Sequence, residues 1–174
     1  MTSDPYSSWS DTDLSSLTHG FRDDLYAGQV ALVTGGAGGI GRAICMLLSR
    51  LGAQVVTCGR DEAKLKELQE SFARQDVDIF VRSANVRDPE EVQALLRDTW
   101  NEFGRLDLVV NNAGGQFAAP ANDISPKGWA AVLETNLYGP WFVMQAAAKA
   151  WIENGSAGSI VNIGTIPGRA SVGI

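Results

Sequence analysis

A glycine-rich stretch, TGGAGGIG over residues 34–41, has the residue types and spacing to bind a phosphate group. Glycine has no Cβ, so the backbone can approach a pyrophosphate where a side chain would clash. The apolar run at 30–33 is typical of a strand buried on both faces of a parallel sheet. Apolar residues at helical spacing follow from Ile40 to Leu51, and the N-terminus of such a helix presents unpaired N–H groups to an anion. The order strand, turn, helix therefore predicts a nucleotide phosphate site and weighs against a turn that serves packing alone.

The residue about 20 positions after such a turn decides how the site accepts the adenosine ribose. A carboxylate there accepts a hydrogen bond from the 2′-hydroxyl and repels a 2′-phosphate. In this chain the position is Gly59, with Arg60 beside it, and a guanidinium can pair with a phosphate through two hydrogen bonds. The offset of Asp61 is poor for a ribose ligand. The pattern favours NADP(H) over NAD(H); the alternative is an Arg60 that caps the next helix or faces solvent.

Strand-like and helix-like patterns alternate along the chain. Apolar runs typical of buried strands lie at 30–33, 55–58, 79–81, 106–110 and 159–163. Helical patterns lie between them, at 40–51, 61–74, 88–103, 125–137 and 141–152. The best helix start has Asp88 as N-cap, Pro89 at the first position and Glu91 as capping-box partner. Gly139 and Pro140 are expected to interrupt the helical region.

A second polar turn follows the fourth predicted strand. It reads Asn111, Asn112, Ala113, Gly114 and Gly115. In open α/β sheets ligands bind beyond the carboxyl ends of the strands. We therefore expect this turn to lie next to the glycine turn and its cofactor.

The helix predicted at 141–152 is apolar around most of its surface and contains small alanines at 146, 147, 148 and 150. We expect it to be buried on more than one side, which favours an oligomer interface. The alternative is a helix that covers only its own sheet.

The composition indicates one globular domain. The 174 residues are 45% hydrophobic and 20% charged, with a formal net charge of −6 and no long like-charge run or membrane-length apolar stretch. We expect a cytoplasmic protein without a nucleic-acid or membrane partner. Residues 1–28, rich in Ser, Asp and Thr, are predicted to be a mobile tail before a domain at 29–174. Cys45 and Cys58 are interpreted as core residues and His19 as a surface residue, and no metal site is predicted.

Four motifs in order resemble the short-chain dehydrogenase/reductase family. They are TGGAGGIG at 34–41, NNAG at 111–114, Asn136 within ETNLYG, and GSIVNI at 158–163. The resemblance covers about residues 29–168. Within the family, NNAGGQF together with ISPKGW and VLETNLYG is similar to the branch of peroxisomal trans-2-enoyl-CoA and 2,4-dienoyl-CoA reductases.

The resemblance implies roles for particular residues. Gly35, Gly39 and Gly41 would hold the pyrophosphate, Arg60 the 2′-phosphate and Asn85 the adenine. The full set of implied cofactor-binding residues is Thr34, Gly35, Gly36, Gly39, Ile40, Gly41, Arg60, Asn85, Val86, Asn112, Ala113 and Gly114. The implied catalytic residues are Asn136, which supports the family's proton relay, and Thr165, which stands where the family usually has Ser.

The family's general acid is a Tyr followed four residues later by a Lys, and this chain contains no such pair. Tyr6, Tyr26 and Tyr138 have Ser, Val and Phe at that spacing. We therefore expect the 174 residues to be the N-terminal part of a longer reductase.

The resemblance and the alternating elements together imply a doubly wound parallel α/β fold with strand order 3-2-1-4-5. The full-length protein would transfer a hydride from NADPH to an enoyl-CoA or a carbonyl group, act on a small molecule such as an acyl-CoA, and form a homo-oligomer. Two alternatives stay open. One is a non-catalytic NADP(H)-binding module, and the other is a dehydrogenase for 3-oxoacyl thioesters or other carbonyls and alcohols.

Overall fold

The computed structural model describes residues 9–117 and 119–164, and its centre is a parallel sheet. The strands are β1 (Val30–Thr34), β2 (Gln54–Gly59), β3 (Ile79–Ser83), β4 (Leu108–Asn111) and β5 (Ser159–Asn162). Their order in the sheet is β3-β2-β1-β4-β5, and all four pairings are parallel. The fold is the predicted doubly wound α/β fold, in which the direction of winding reverses between β1 and β4.

Helices cover both faces of this sheet. They are α1 (Asp11–Ser16), α2 (Gly39–Arg50), α3 (Glu62–Ala73), α4 (Pro89–Phe103), α5 (Pro126–Leu133) and α6 (Gly139–Glu153). Successive β1 residues point to opposite faces: Val30 and Leu32 pack in the cluster beneath α4 and α6, whereas Ala31 and Val33 pack beneath α1, α2 and α3. Within the described residues no helix is both long and apolar enough to cross a bilayer.

The start of α4 is close to the prediction but differs in one contact. Asp88 caps the helix, and its carboxylate accepts from the backbone N–H groups of Glu90 and Glu91 at 2.8 and 3.3 Å. The Glu91 carboxylate, however, accepts from the N–H of Asn85 at 2.8 Å, three residues before the expected partner. Glu91 therefore anchors the loop after β3 rather than closing a capping box on Asp88.

The helical region from α5 to α6 is continuous, so the expectation of an interruption at Gly139 and Pro140 was wrong. A π-helical turn at Glu134–Tyr138 joins the two helices, and the Gly139 N–H donates to the carbonyl of Glu134, five residues back. Pro140, which has no N–H to donate, follows this turn directly as the second residue of α6. The extra residue in the turn accommodates the proline without breaking the helix.

Helix α6 and strand β5 are less buried than predicted. Val143, Ala147 and Trp151 of α6 are buried, but Trp141 and Ile152 are exposed, so the helix buries one face within this chain. Strand β5 is an edge strand among the described residues, and its burial pattern is exposed except at Ile160, which is half-buried. A continuous apolar run predicts a strand but does not distinguish a central strand from an edge.

Part of the segment predicted as a mobile tail is docked on the domain. Helix α1 packs against α2, and its Leu14 is buried. The Asp11 carboxylate accepts hydrogen bonds from Nε and Nη2 of Arg42 at 2.5 and 2.6 Å. Ser71 of α3 also donates to Asp11. His19 is half-buried rather than on the surface, 3.9 Å from the Asp23 carboxylate. The reason for the docking is an ion pair across 31 residues, which local composition cannot reveal.

Asp107 joins the amino ends of the two central strands. Its carboxylate accepts from the Val30 N–H at 2.8 Å and from Nε and Nη2 of Arg105 at 2.8 and 2.7 Å. Burial opposes the ionisation of Asp107, but the hydrogen bonds from Arg105 and Val30 outweigh it and lower the pKa. The carboxylate is therefore charged at neutral pH and holds β1 beside β4.

We expect Asp107→Asn to lower the free energy of unfolding by about 1.5–3 kcal/mol at pH 7, because hydrogen bonds to a charged acceptor are lost. A group whose pKa is lowered on folding stabilises the fold above its unfolded pKa, and that stability disappears as the pH falls through the folded pKa. The difference between the two proteins should therefore shrink steadily below about pH 4. Urea denaturation at pH 7 and pH 3 measures it, and a difference that does not change with pH would contradict this role.

Candidate nucleotide-binding site

The glycine turn joins β1 to α2 in a shape that few other residues could adopt. Gly35 and Gly39 have φ values of +71° and +52°, in the left-handed region that favours glycine. Gly38 is the N-cap of α2 and supplies no side-chain acceptor, so no side chain caps the first N–H groups of the helix. A Cβ at Gly38 or Gly39 would meet nothing within 4 Å. The turn therefore presents helix N–H groups to open space.

Gly36 has the opposite environment, because it packs tightly against the protein. A Cβ on this residue would lie 2.3 Å from the Thr57 Oγ1 and 2.7 Å from the Cys45 Sγ. The Gly36 N–H donates to Thr57 Oγ1 at 3.0 Å, and that hydroxyl donates to the Val33 carbonyl at 2.7 Å. Thr57 thus ties the underside of the turn to the central strands.

The end of β4 is locked to the end of β1. The Thr34 hydroxyl accepts from the N–H groups of Asn112 and Ala113 at 3.1 and 2.9 Å. In return, the Asn112 amide donates to the carbonyls of Thr34 and Gly35 at 2.9 and 3.2 Å. A Cβ on Gly41 would lie 2.4 Å from both the Asn112 Nδ2 and the Gly35 oxygen. The two predicted turns therefore lie side by side, and Thr34 is buried beneath them.

A cleft of about 320 Å³ opens at the carboxyl ends of β1, β2, β3 and β4. This is the point where the strand order reverses, which is where ligands of open α/β sheets bind. Among the predicted cofactor residues, those lining the cleft are Gly35, Arg60, Asn85, Val86, Asn112, Ala113 and Gly114. The remaining ones, Thr34, Gly36, Gly39, Ile40 and Gly41, belong to β1 or to the adjoining glycine turn and first turn of α2, where Ile40 is 64% exposed.

Arg60 lies at the rim of the cleft, after β2. It is exposed and makes no ion pair or hydrogen bond with any residue in the described part of the chain. Asp61, by contrast, is the N-cap of α3, and its carboxylate accepts from the Lys64 N–H at 3.1 Å. The acidic neighbour is thus occupied by capping, and Arg60 lines the cleft with no partner among the described residues.

The loop after β3 forms another wall of the cleft and includes residues that the sequence did not single out. The Asn85 side chain accepts from the Arg87 N–H at 3.2 Å, which fixes the loop. Arg87 reaches the π turn, where its Nε donates to the Thr135 hydroxyl at 2.6 Å. Arg87 and Thr135 both line the cleft. The one signal that could have identified them is their position directly beside Val86 and Asn136 in the sequence.

Asn136 lies in the π turn and holds the second polar turn in place. Its Oδ1 accepts from the Gly115 N–H at 2.9 Å, and its Nδ2 donates to the Gly115 carbonyl at 2.7 Å. π turns are frequent at functional sites. Thr165, the other predicted catalytic residue, lies outside the described residues, so its position relative to Asn136 stays a prediction.

The two cysteines are core residues, as predicted. Cys45 and Cys58 are fully buried, and desolvation raises the pKa of each thiol to about 12. Both are therefore protonated at neutral pH and lack the thiolate that reactive cysteines need.

A larger cavity of about 520 Å³ lies at the opposite end of the sheet. Its lining includes Gln54 and Ile79, at the amino ends of β2 and β3, together with Asp76, Asp78 and Phe103. Parallel sheets bind ligands at the carboxyl ends of their strands, where the loops and helix N-termini converge. We therefore take the smaller cleft as the candidate site.

The fold and the cleft define an α/β protein of the dinucleotide-binding class. The family model described as short chain dehydrogenase matches residues 29–173. The chain belongs to this family, whose members are oxidoreductases that use a nicotinamide cofactor.

Known relatives agree with this assignment. The chain is 33% identical over 135 residues to a Bacillus subtilis protein named probable 2,4-dienoyl-CoA reductase, covering 78% of this chain and 53% of that protein. It is 33% identical over 151 residues to the peroxisomal 2,4-dienoyl-CoA reductase of Arabidopsis thaliana, covering 82% of this chain and 50% of that protein. A metagenomic short-chain oxidoreductase solved in complex with NADP matches with a TM-score of 0.75 at 34% identity, covering 84% of this chain and 66% of that one. The chain thus spans about half the length of these curated relatives.

We expect Gly36→Ala to destabilise the protein by about 1–3 kcal/mol, because the added methyl group overlaps Thr57 and Cys45 in a packed region. Gly115→Ala is the matched control, since a Cβ there meets nothing within 4 Å. Chemical denaturation of both variants measures the difference. Equal stability of the two variants would show that the turn is not packed as described.

Proposed function

We propose that the cleft binds NADP(H) and that this chain is the cofactor-binding part of a reductase acting on an enoyl-CoA or a carbonyl compound. The observation that carries the cofactor assignment is Arg60 at the rim, beside Gly59, which pairs with no residue of 9–117 or 119–164, while Asp61 is occupied in capping α3. A guanidinium in that place favours a 2′-phosphate, and no carboxylate is there to repel it.

The geometry of the glycine turn fits a dinucleotide phosphate. Gly38 and Gly39 leave the space that a pyrophosphate needs, and no side chain caps the first N–H groups of α2. These groups would bind the phosphate oxygens at the positive end of the helix dipole. Thr34, Gly36 and Gly41 act beneath the turn by fixing its shape, whereas Gly35 and Gly39 let the backbone approach the phosphate closely.

The other walls of the cleft would position the rest of the cofactor. Asn85 and Val86 line the part next to Arg60, and we assign them to the adenine. Asn112, Ala113 and Gly114 line the part next to the glycine turn, and we assign them to the central region of the cofactor. When bound, the nicotinamide supplies the hydride. Asn136 holds the backbone of Gly115 and so sets the position of this wall.

An acyl-CoA substrate is supported by the names of two relatives, both 2,4-dienoyl-CoA reductases. The GGQF segment after the paired asparagines supports the same substrate class. 3-Oxoacyl thioesters and other carbonyl compounds are the alternative. A homo-oligomer is proposed for the full-length protein, since Trp141 and Ile152 expose an apolar part of α6.

A second candidate function is binding of NADP(H) without turnover. It is favoured by one observation: none of the tyrosines in these 174 residues is followed four positions later by a lysine. The chain would then bind the cofactor but lack the positioned proton donor that the family uses.

NADPH should bind this chain more tightly than NADH, and Arg60→Ala should remove most of the difference. The expected loss is roughly 10-fold or more in NADPH affinity, about the value of one hydrogen bond to a charged group. Arg97→Ala, which removes an exposed arginine from α4 outside the cleft, controls for net charge. Fluorescence titration measures both cofactors, and equal affinities in the unmutated chain would refute the assignment of Arg60.

The 174-residue chain alone should not oxidise NADPH in the presence of a 2-enoyl-CoA. Proton transfer by a positioned side chain typically contributes 10²- to 10⁴-fold to the rate, and the expected donor is missing. NADPH binding in the same sample serves as the control for a competent cofactor site, and a small dicarbonyl serves as second substrate. Sustained turnover at or above about 1 s⁻¹, in the usual range for enzymes, would contradict this expectation.

A further inference from the structure

We propose that Asp11 of helix α1 is a positioning residue for cofactor binding, acting through Arg42 on the glycine turn. The inference rests on the proposed binding of NADP(H) in the cleft. It gives a function to a helix that lies before the residues matched by the family model, 29–173.

The contact between α1 and the domain is specific and almost dry. The Asp11 side chain is only 5% exposed, and it binds both Nε and Nη2 of Arg42 at 2.5 and 2.6 Å. Ser71 on α3 donates to the same carboxylate, and Arg50 on α2 donates to the Leu14 carbonyl at 3.0 Å. Helix α1 therefore joins α2 to α3 through hydrogen bonds as well as through the apolar contact of Leu14.

The charge state of the pair is set by these contacts. Burial alone would raise the pKa of Asp11, but the hydrogen bonds from Arg42 and Ser71 outweigh it and lower the pKa. The hydrogen bond to Asp11 likewise raises the pKa of Arg42, against the effect of burial. Both groups are charged at neutral pH, so the fork between them has the geometry and strength of a charge-assisted pair.

Arg42 follows Gly41 directly, which places the fixed side chain in the first turn of α2. Thr57 and Asn112 fix the turn at Gly36 and Gly35, whereas the part at Gly38 and Gly39, where the helix begins, borders open space. The N-cap of α2 has no side-chain acceptor, and the N–H of Arg42 reaches the Gly38 carbonyl at 3.3 Å, near the long limit for a hydrogen bond. Gly38 and Gly39, which border open space, add backbone freedom. The ion pair with Asp11 restrains Arg42 from outside the turn. It therefore reduces the backbone conformational entropy that the turn would otherwise lose when a phosphate binds.

Docking of α1 and occupancy of the cleft are thus coupled, and coupling between two binding equilibria is reciprocal. A docked α1 strengthens cofactor binding, and a bound cofactor strengthens the docking of α1. The reciprocity separates this role from simple stabilisation, which would leave the cofactor affinity of the folded protein unchanged.

The test is NADPH titration of the Asp11→Asn chain under conditions where the protein stays folded. The variant removes a negative charge, so electrostatics alone would strengthen binding of an anionic cofactor, whereas the proposal predicts weakening by about 5-fold or more. Asp23→Asn removes the same charge from a side chain that is 94% exposed, and it should leave the affinity unchanged or slightly higher. Ser71→Ala, which removes one donor to Asp11, should give a smaller loss.

Amide hydrogen exchange supplies the reciprocal measurement. In the unmutated chain NADPH should slow exchange at the amides of Leu14, Ser15 and Ser16, and in Asp11→Asn this protection should disappear. If Asp11→Asn binds NADPH as tightly as the unmutated chain, or more tightly, the positioning role is refuted while the proposed function stands. If the unmutated chain does not bind NADPH, the proposed function fails and the inference fails with it.

Discussion

The structure depends on one close approach, between the carboxyl ends of β1 and β4. The Thr34 hydroxyl accepts hydrogen bonds from the backbone N–H groups of Asn112 and Ala113. The side-chain amide of Asn112 in turn donates to the carbonyls of Thr34 and Gly35. Only glycine fits at position 41, because Asn112 and Gly35 fill the space that a Cβ would occupy. Because the two turns are fixed together here, a cleft opens at the point where the sheet reverses its order, and the uncapped N-terminus of α2 lies beside it.

Glycines in one turn serve two different physical purposes. Gly36 and Gly41 are required because the protein fills the space where a Cβ would be, and Gly35 and Gly39 because their backbone lies in the left-handed region. Gly38 and Gly39, in contrast, border open space. The packed glycines hold the turn against Thr57 and Asn112, and the open ones leave a surface for a ligand. Stability and binding are therefore built from the same short stretch but from different residues in it.

Local patterns were sufficient for the strands, most of the helices and the two polar turns that border the cleft, and the family resemblance supplied the strand order. Buried strands such as β1 have continuous apolar runs, and glycine and asparagine residues indicate the turns after β1 and β4. Features that depend on distant partners were not accessible. The docking of α1 follows from an ion pair between Asp11 and Arg42, and the role of Glu91 from its contact with Asn85. The π turn accommodates Pro140 by including one extra residue. The presence of Gly139 and Pro140 in the sequence does not indicate whether the helix ends there or widens in this way.

The central claim is that the cofactor binds at the carboxyl ends of the strands, across the glycine turn. Backbone amide chemical shifts of the ¹⁵N-labelled chain, followed during titration with NADPH, test it most directly. The account predicts that the largest shifts occur in the loops after the first four strands and at the start of α2, namely at Gly35, Gly38, Gly39, Arg60, Asn85 and Gly114. Shifts centred instead on Gln54 and residues 76–80, around the larger cavity at the other end of the sheet, would contradict it, as would the absence of any saturable shift.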